Sequence, residues 1–341
     1  MVSHTPFSSL NGEEVELITL TDGTLTAQLL PYGATLRSLT VPDRTGGPVD
    51  VVLGYDTLEE YASQDACLGG TIGRYANRIA DADLPIDGKH WPLLPNEGAN
   101  QLHGGPAGFH QKLWQVEAET ECSVTFSLLS PHLDGGFPGN LRVELTYSLP
   151  TPGTLALSYR ARTDRATAVS LTNHAYFNLS GHDSGQVGDH LLLVGAEGYT
   201  PTGPGLIPTG ELLPVVGTPL DFRVPTPLSP RLADPFFAPS RGLDHNFILS
   251  GGACAARLIS PRTGIAMAVE TTLPGMQVYS AGFLTQRRGK SGASYGPSHA
   301  VCLETQHFPD AVHRPAFPSP LLRPGEEYSH LTKYQFSLWE G

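Results

Sequence analysis

The stretch LTNHAYFNL, residues 171–179, alternates in the way that is typical of a β-strand. Side chains alternate across a strand, so one face here would be mostly apolar and would pack on a core. The opposite face would present hydrogen-bonding groups from Thr172, His174, Tyr176 and Asn178. A row of such amphipathic side chains is typical of a site for a polar small molecule. The stretch therefore predicts a strand that packs on a core and forms one wall of a binding site.

The composition of the whole chain favours the same kind of structure. The 341 residues are 40% hydrophobic and only 16% charged, which indicates a large buried core and not disorder. The 38 glycines and 30 prolines interrupt long helices and suit many strands joined by turns. About fifteen strand-like runs follow one another without a long linker or an internal repeat. We therefore predict one domain, residues 1–341, that is all-β and folds as a large antiparallel β-sandwich with few short helices.

Local patterns predict individual elements. The run TAQLLPYGATLRSLTVP, residues 26–42, is expected to be extended. The segment DTLEEYASQ, residues 56–64, could form a short helix with Asp56 as its N-cap and Glu59 at the capping-box position. No helical period is sustained elsewhere, so strands should dominate the fold.

Charge and motif content exclude several classes of function. The net charge is −12 and no run of Lys or Arg exists, so binding to nucleic acid or to an anionic membrane is not expected. The four cysteines lie far apart without a C-x-x-C pair, which does not fit a structural zinc site. No secretory pattern and no apolar run of about 18–20 residues is visible, so we expect a cytoplasmic protein.

Five further stretches concentrate side chains that could bind or transform a polar molecule. They are GGTIGRYANRIADA (69–82), NQLHGG (100–105), RGLDHNFIL (241–249), TTLPGMQVYSAGF (271–283) and AVCLETQHFPD (300–310). Their candidate residues are Arg74, Asn77, Arg78, His103, Asp244, Gln277 and Glu304. A carboxylate among apolar neighbours, such as Glu304, has to be paired, hydrogen-bonded or protonated. A purely structural ion pair would explain that residue as well, and a lone histidine at a turn is more often structural than catalytic.

A metal site could use His103, His174 and Glu304. No H-x-H or H-E-x-x-H pattern and no closely spaced pair of carboxylates supports such a site. A serine nucleophile is not indicated, because the G-x-S-x-G motif is absent. We therefore expect a site that contains neither a metal ion nor another cofactor.

The six stretches, in this order, resemble the aldose 1-epimerases, also called galactose mutarotases. The similar motifs are GRYANRI, NQLHGG, LTNHAYFNL, LDHNF, LPGMQVYSAGF and LETQHFPDA, which span residues 73–311. The resemblance implies a β-sandwich of the galactose-mutarotase type that interconverts the α and β anomers of free aldohexoses such as galactose and glucose. It implies Glu304 as general base and His174 as general acid. The matching sugar-binding positions are Arg78, His103, Asp244 and Gln277, with Asn77 and Tyr176 in the same motifs.

The chemistry of anomer exchange fits these residue types. A base removes the proton of the C1 hydroxyl, an acid protonates the ring oxygen, and the ring opens to an aldehyde. Free Glu ionises near pH ~4.3 and His near ~6.5, so Glu304 would begin as the base. A nearby carboxylate, Asp244 or Glu304, should raise the pKa of His174 so that it holds its proton.

Three alternative functions stay open from the sequence. A hexose-phosphate 1-epimerase would need cations for the phosphate, and Arg74 and Arg78 could supply them. A non-catalytic carbohydrate-binding protein could use the same polar wall, and a metal-dependent lyase or hydrolase could use the histidines. The expected partner is a small aldose substrate, and we expect a monomer or a weak homodimer.

Overall fold

Strands make up most of the fold. The computed structural model describes residues 1–10, 12–252 and 254–340. The strands within these residues are, in chain order, β1 Val2–Leu10, β2 Glu13–Thr21, β3 Thr26–Leu30, β4 Thr35–Pro42, β5 Pro48–Asp50, β6 Thr71–Ile72, β7 Arg78–Ile79, β8 Asp83–Ile86, β9 Lys89–Pro92, β10 Gln101–Leu102, β11 Gln115–Thr120, β12 Ser123–Ser130, β13 Leu141–Ser148, β14 Thr154–Thr163, β15 Thr167–Ala168, β16 Thr172–Asn173, β17 Leu191–Val194, β18 Ala196–Thr200, β19 Leu213–Pro214, β20 Thr226–Pro227, β21 Asp244–Leu249, β22 Ala256–Ile259, β23 Ile265–Thr271, β24 Gly275–Tyr279, β25 Arg287–Arg288, β26 Ser294–Tyr295, β27 Cys302–Gln306, β28 Leu321–Leu322 and β29 Tyr328–Leu338. The α-helices are α1 Leu58–Ser63 and α2 Leu228–Leu232. Neither described helix is long and apolar enough to cross a membrane.

Three larger antiparallel sheets organise these strands. The largest has nine strands in the order β11-β12-β13-β14-β29-β23-β22-β17-β20. A five-stranded sheet runs through β1 to β5 in sequence order, and a second has the order β19-β18-β21-β24-β27. The C-terminal strand β29 pairs with both β14 and β23, so it joins the two halves of the nine-stranded sheet.

The core lies between the nine-stranded sheet and a second layer, which consists of the two five-stranded sheets. Leu157 and Met267 of the large sheet share one buried cluster with Leu39 of β4, Val278 of β24 and Leu303 of β27. Side chains alternate across strands, so the neighbours of Val278 and Leu303 point to the opposite, outer face of the second layer. This arrangement is the expected β-sandwich, and it leaves one face of β21, β24 and β27 available for a site.

The stretch 171–179 is only partly a strand. Regular pairing is confined to Thr172–Asn173, while Phe177 makes isolated bridges to Val52 and Val301. The prediction of a strand over the whole stretch is therefore wrong in extent, because its neighbours pair with it only at these points. The bridge from Phe177 to Val301 still sets an antiparallel register, and that register places His174 beside Glu304.

Asn178 leaves the polar row that the alternation predicts. Its side-chain NH₂ donates to the carbonyls of Gly185 and His299, at 2.8 and 2.9 Å. The prediction that Asn178 shares the site face is therefore wrong, because its amide fastens two loops instead.

Two other local predictions need correction. Residues 26–42 form two strands, because the chain turns before Ala34, where Gly33 has φ +68 and a Cβ would lie 2.6 Å from the His110 carbonyl oxygen. Helix α1 has Thr57 as its N-cap and Glu60 completing the capping box. The cap is thus one residue later than predicted, because the Thr57 hydroxyl accepts from the Glu60 N–H.

Candidate active site

Adjacent strands of the smaller sheet bring three predicted residues together. The register opposes Gln277 of β24 directly to Glu304 of β27. Asp244 begins β21, on the other side of β24, and its Oδ1 accepts from the Gln277 Nε2 at 2.6 Å. Because Met276 and Val278 face the core, the amide of Gln277 faces outward with the two carboxylates. The sheet thus places two carboxylates and one amide on the outer face.

His174 and Glu304 form the closest acid–base pair of this face. The Nε2 of His174 lies 3.7 Å from the Oε2 of Glu304, and the side chains are 6% and 2% exposed. The Oε2 of Glu304 has no hydrogen-bond partner among the described residues. Tyr176 stacks on the imidazole of His174 with ring centroids 5.0 Å apart, and its hydroxyl donates to the Ala66 carbonyl. The pair is therefore held in place with one carboxylate oxygen ready to exchange a proton.

Burial controls the protonation of the pair. It lowers the pKa of His174 to about 3, and a backbone hydrogen bond opposes that change only in part. Burial and the nearby carboxylate of Asp244 raise the pKa of Glu304 well above its usual value, and Arg78 opposes that change. The expectation that a carboxylate raises the pKa of His174 is wrong, because desolvation of the imidazolium outweighs the attraction. Both shifts favour the neutral forms, a protonated carboxyl on Glu304 beside a neutral imidazole on His174.

His103 completes a cluster with the same pair. Ligand atoms of His103, His174 and Glu304 all lie within 4.8 Å of one another, which is a spacing that a metal ion could bridge. The Nδ1 of His103, however, accepts a hydrogen bond from the Asn77 backbone N–H at 3.2 Å. A neutral imidazole that accepts at Nδ1 carries its proton at Nε2, so this nitrogen donates and cannot ligate. The tautomer fits a hydrogen-bond donor to a polar ligand and not a metal ligand.

Arg78 reaches the cleft with a partner that sequence reasoning missed. Its Nε and Nη2 donate to the two carboxylate oxygens of Glu97, at 2.6 and 2.7 Å. The neighbouring Asn77 has φ +63, and its Oδ1 accepts from the Arg78 N–H. This turn holds the guanidinium at the edge of the cleft, and the bidentate pair fixes its plane.

A cleft of about 640 Å³ opens above these residues. It is lined by seven of the predicted residues: Asn77, Arg78, His103, His174, Tyr176, Asp244 and Glu304. Sequence reasoning did not single out five further residues that line the cleft, namely Asp65, Glu97, Asn100, Phe283 and Arg287. Four of the five lie outside the strands and Arg287 lies in the two-residue strand β25, so no alternation distinguishes them from solvated residues.

Two predicted residues have supporting positions. Gln277 is buried behind Asp244 and orients that carboxylate, so it lies beneath the lining. Arg74 is also buried, and its guanidinium donates to carbonyls of Ser130, Pro138 and Gly139. The suggestion that Arg74 could bind a phosphate in the cleft is therefore wrong, because its donors hold loops together elsewhere.

Comparison with known proteins agrees with this architecture. The family model described as aldose 1-epimerase matches residues 16–335. The galactose mutarotase of Homo sapiens is 43% identical over 331 residues, covering 96% of this chain and 95% of that protein. The aldose 1-epimerase of Escherichia coli K12 is 39% identical over 344 residues, covering 98% and 99% of the two chains. The solved aldose epimerase homologue from C. elegans has a TM-score of 0.89 at 33% identity, covering 96% of this chain and 100% of that one. The chain belongs to the aldose 1-epimerase family.

Proposed function

We propose that this protein is a mutarotase that interconverts the α and β anomers of free aldohexoses such as galactose and glucose, with Glu304 and His174 as its acid–base pair. The observation that carries the proposal is the 3.7 Å distance between the Glu304 Oε2 and the His174 Nε2 at the buried end of the cleft. O1 and the ring oxygen O5 of an aldose are both bonded to C1. Two proton-transfer groups this close together can therefore each contact a different oxygen of the same carbon.

The reaction then follows from two proton transfers. The carboxylate of Glu304 takes the proton of the C1 hydroxyl while the imidazolium of His174 protonates O5. The C1–O5 bond breaks, C1 becomes an aldehyde, and rotation about C1–C2 exposes its other face. Ring closure reverses both transfers and returns each proton to its origin. Each positioned transfer typically accelerates such a reaction by about 10²–10⁴-fold.

The shifted pKa values of His174 and Glu304 indicate which group of the pair holds the proton more readily. The lowered pKa of His174 and the raised pKa of Glu304 favour neutral imidazole and protonated carboxyl. This neutral pair is the arrangement that follows ring opening, because His174 has then given up its proton and Glu304 has gained one. When the closed sugar binds, the C1 hydroxyl donates to the Glu304 carboxylate and O5 accepts from the His174 imidazolium, and these hydrogen bonds replace lost solvation and favour the charged arrangement.

The remaining cleft residues would orient the sugar. His103 offers its Nε2–H as a donor, and Asp244, held by Gln277, offers a carboxylate as an acceptor. Arg78 and Asn77 approach from the turn, and Tyr176 keeps the imidazole of His174 in its plane. Fixed donors and acceptors of this kind reduce the entropic cost of holding the sugar in the geometry that reacts.

We further propose that residues 1–341 act as one domain. In support, the main buried cluster extends along the chain from Ile18 to Tyr334 and includes residues of all three larger sheets. A cytoplasmic location and a monomer or weak homodimer stay predictions.

Polarimetry tests the proposed activity directly. Freshly dissolved α-D-galactose and α-D-glucose should reach their equilibrium rotation faster with the protein than without it. EDTA should leave the acceleration unchanged, because Glu304 and His174 perform both proton transfers. An unchanged decay with both sugars would contradict the proposal, and loss of the acceleration with EDTA would contradict its mechanism.

A further inference from the structure

The charges of the cleft are unequal. Four carboxylates line it, from Asp65, Glu97, Asp244 and Glu304, whereas its arginines are Arg78 and Arg287. Even with the shared proton on Glu304, three negative charges face two positive ones. Such a cleft repels an anion, and low-dielectric walls strengthen that repulsion.

Both arginines already have carboxylate partners. Arg287 lies 2.8 Å from the Oδ1 of Asp65 and also donates to Thr285 and Tyr55. Arg78 is the deeper of the two, with a side chain that is 10% exposed, and Glu97 occupies two of its donor nitrogens. An anionic sugar would therefore have to displace a carboxylate to reach either guanidinium.

Glu97 is held where it can oppose Arg78. Its backbone exchanges hydrogen bonds with Asn100, N–H to O at 3.2 Å in one direction and 3.0 Å in the other. The charge of Glu97 also acts on Asp244 in the cleft. Burial raises the pKa of the Asp244 carboxyl, Arg78 lowers it, and the negative charge of Glu97 raises it. The loop thus fixes a negative charge beside the only arginine that approaches the acid–base pair among the described residues.

We infer that Glu97 is a specificity-determining residue that confines the substrates to uncharged aldoses by cancelling the charge of Arg78. This inference rests on the proposed mutarotase function and adds a charge criterion to it. A sugar with a carboxylate or phosphate group meets the excess negative charge of the cleft, while a neutral sugar of the same shape does not. Removal of the Glu97 charge would leave Arg78 free to attract the anion.

D-Galacturonate is the matched probe, because it differs from D-galactose only in a carboxylate at C6. The quantity to measure is the ratio of kcat/KM for galacturonate to that for galactose, by polarimetry at pH 7 and low ionic strength. The wild-type ratio should be far below one. In Glu97→Gln the ratio should rise by about ten-fold or more, since one charge at close range has an effect of this size. The ratio cancels any common loss of activity from a less well-oriented Arg78.

Two control variants separate charge from position. Glu97→Asp keeps the charge and should keep the ratio low, and Glu121→Gln removes an exposed charge from the turn between β11 and β12 and should leave it unchanged. Added salt should raise the wild-type ratio and have less effect on Glu97→Gln. A Glu97→Gln ratio within two-fold of the wild type would overturn the inference and would leave the proposed function of the wild type untouched. Failure of the wild type to accelerate galactose exchange would instead contradict the proposed function.

Discussion

At the scale of single residues, burial decides the chemistry. Glu304 and His174 are both almost fully buried, and each is driven toward its neutral form. The two side chains are 3.7 Å apart. The neutral pair and the ion pair contain the same number of protons, so the pair can change from one to the other when one group gives a proton to the sugar and the other takes one from it. Ring opening and ring closure then become exchanges between these two arrangements, with the sugar as the bridge.

Replacement of His174 by Asn tests the acid role. We expect kcat to fall by about 10²–10⁴-fold with a smaller change in KM, because Asn keeps a polar group but cannot protonate the ring oxygen. Steady-state polarimetry over a range of galactose concentrations separates the two constants. A rise in KM with an unchanged kcat would assign His174 to binding alone.

The sequence identified residues that lie on a patterned strand or in a family motif. Glu304 and His174 are of this kind, and the structure brings them together. Glu97 and Arg287 were missed, because Glu97 lies in the segment before β10 and Arg287 in the two-residue strand β25, where no alternation marks a cleft residue. The pKa direction of His174 was also missed, since a residue list does not show how completely the imidazole is desolvated.

At the scale of elements, the pairing partners of a segment determine whether it forms a strand and how far the strand extends, which alternation alone cannot show. The first strand β1 was not predicted, because most of its side chains are polar and exposed and only its pairing with β2 makes it a strand. The stretch 171–179 has the alternation of a strand but is buried on both sides. Its short regular part, Thr172–Asn173, shows that burial can hold a segment extended without a continuous ladder.

A buried ion pair fastens the segment around Lys290 to the N-terminal sheet. The Lys290 ammonium donates to Asp50 at 2.5 Å and to the carbonyls of Arg37 and Val52, and its side chain is 3% exposed. We expect Lys290→Met to lower the free energy of unfolding by about 3–5 kcal/mol, because it leaves the Asp50 carboxylate without its cation. Urea denaturation followed by circular dichroism measures this change.

The exposed pair of Arg162 and Glu327 provides the control for that measurement. The Arg162 side chain is 77% exposed, so Arg162→Gln should leave the urea midpoint nearly unchanged. Equal effects of the two substitutions would show that burial of the Lys290 pair contributes nothing beyond a surface contact.

At the scale of the whole molecule, the sandwich places the residues that stabilise the fold and the residues of the candidate active site on opposite faces of one layer. The core side of the second layer is apolar, while its outer face carries the acid–base pair. Composition and the density of turns were enough to predict an all-β sandwich. The strand order was beyond prediction, because β29 at the end of the chain pairs between β14 and β23. Such pairings join residues that are far apart in sequence, and local patterns contain no information about them.

Buried neutral histidines should make the fold sensitive to acid. Burial lowers the pKa of His110, His245 and His307 from 6.5 to about 4. Between these values the unfolded chain binds more protons than the folded one, so stability falls as the pH falls, by about 2 kcal/mol per histidine from pH 7 to pH 5. The raised pKa values of Glu304, Asp244, His4 and His313 act in the opposite direction, while the lowered pKa values of further buried histidines, among them His103, His174 and His190, add to the effect. Thermal melts should therefore give a lower Tm at pH 5 than at pH 7, and an equal or higher Tm at pH 5 would contradict this prediction.

Glu304 exchanges the proton of the C1 hydroxyl in the proposed mechanism, and the polarimetric kcat of Glu304→Gln with α-D-galactose tests this role most directly. The variant keeps the shape of the side chain and removes its ability to take a proton. We predict a fall of about 10²–10⁴-fold or more in kcat, with a circular dichroism spectrum like that of the wild type. A folded variant with near-wild-type kcat would contradict the account and remove Glu304 from the base role.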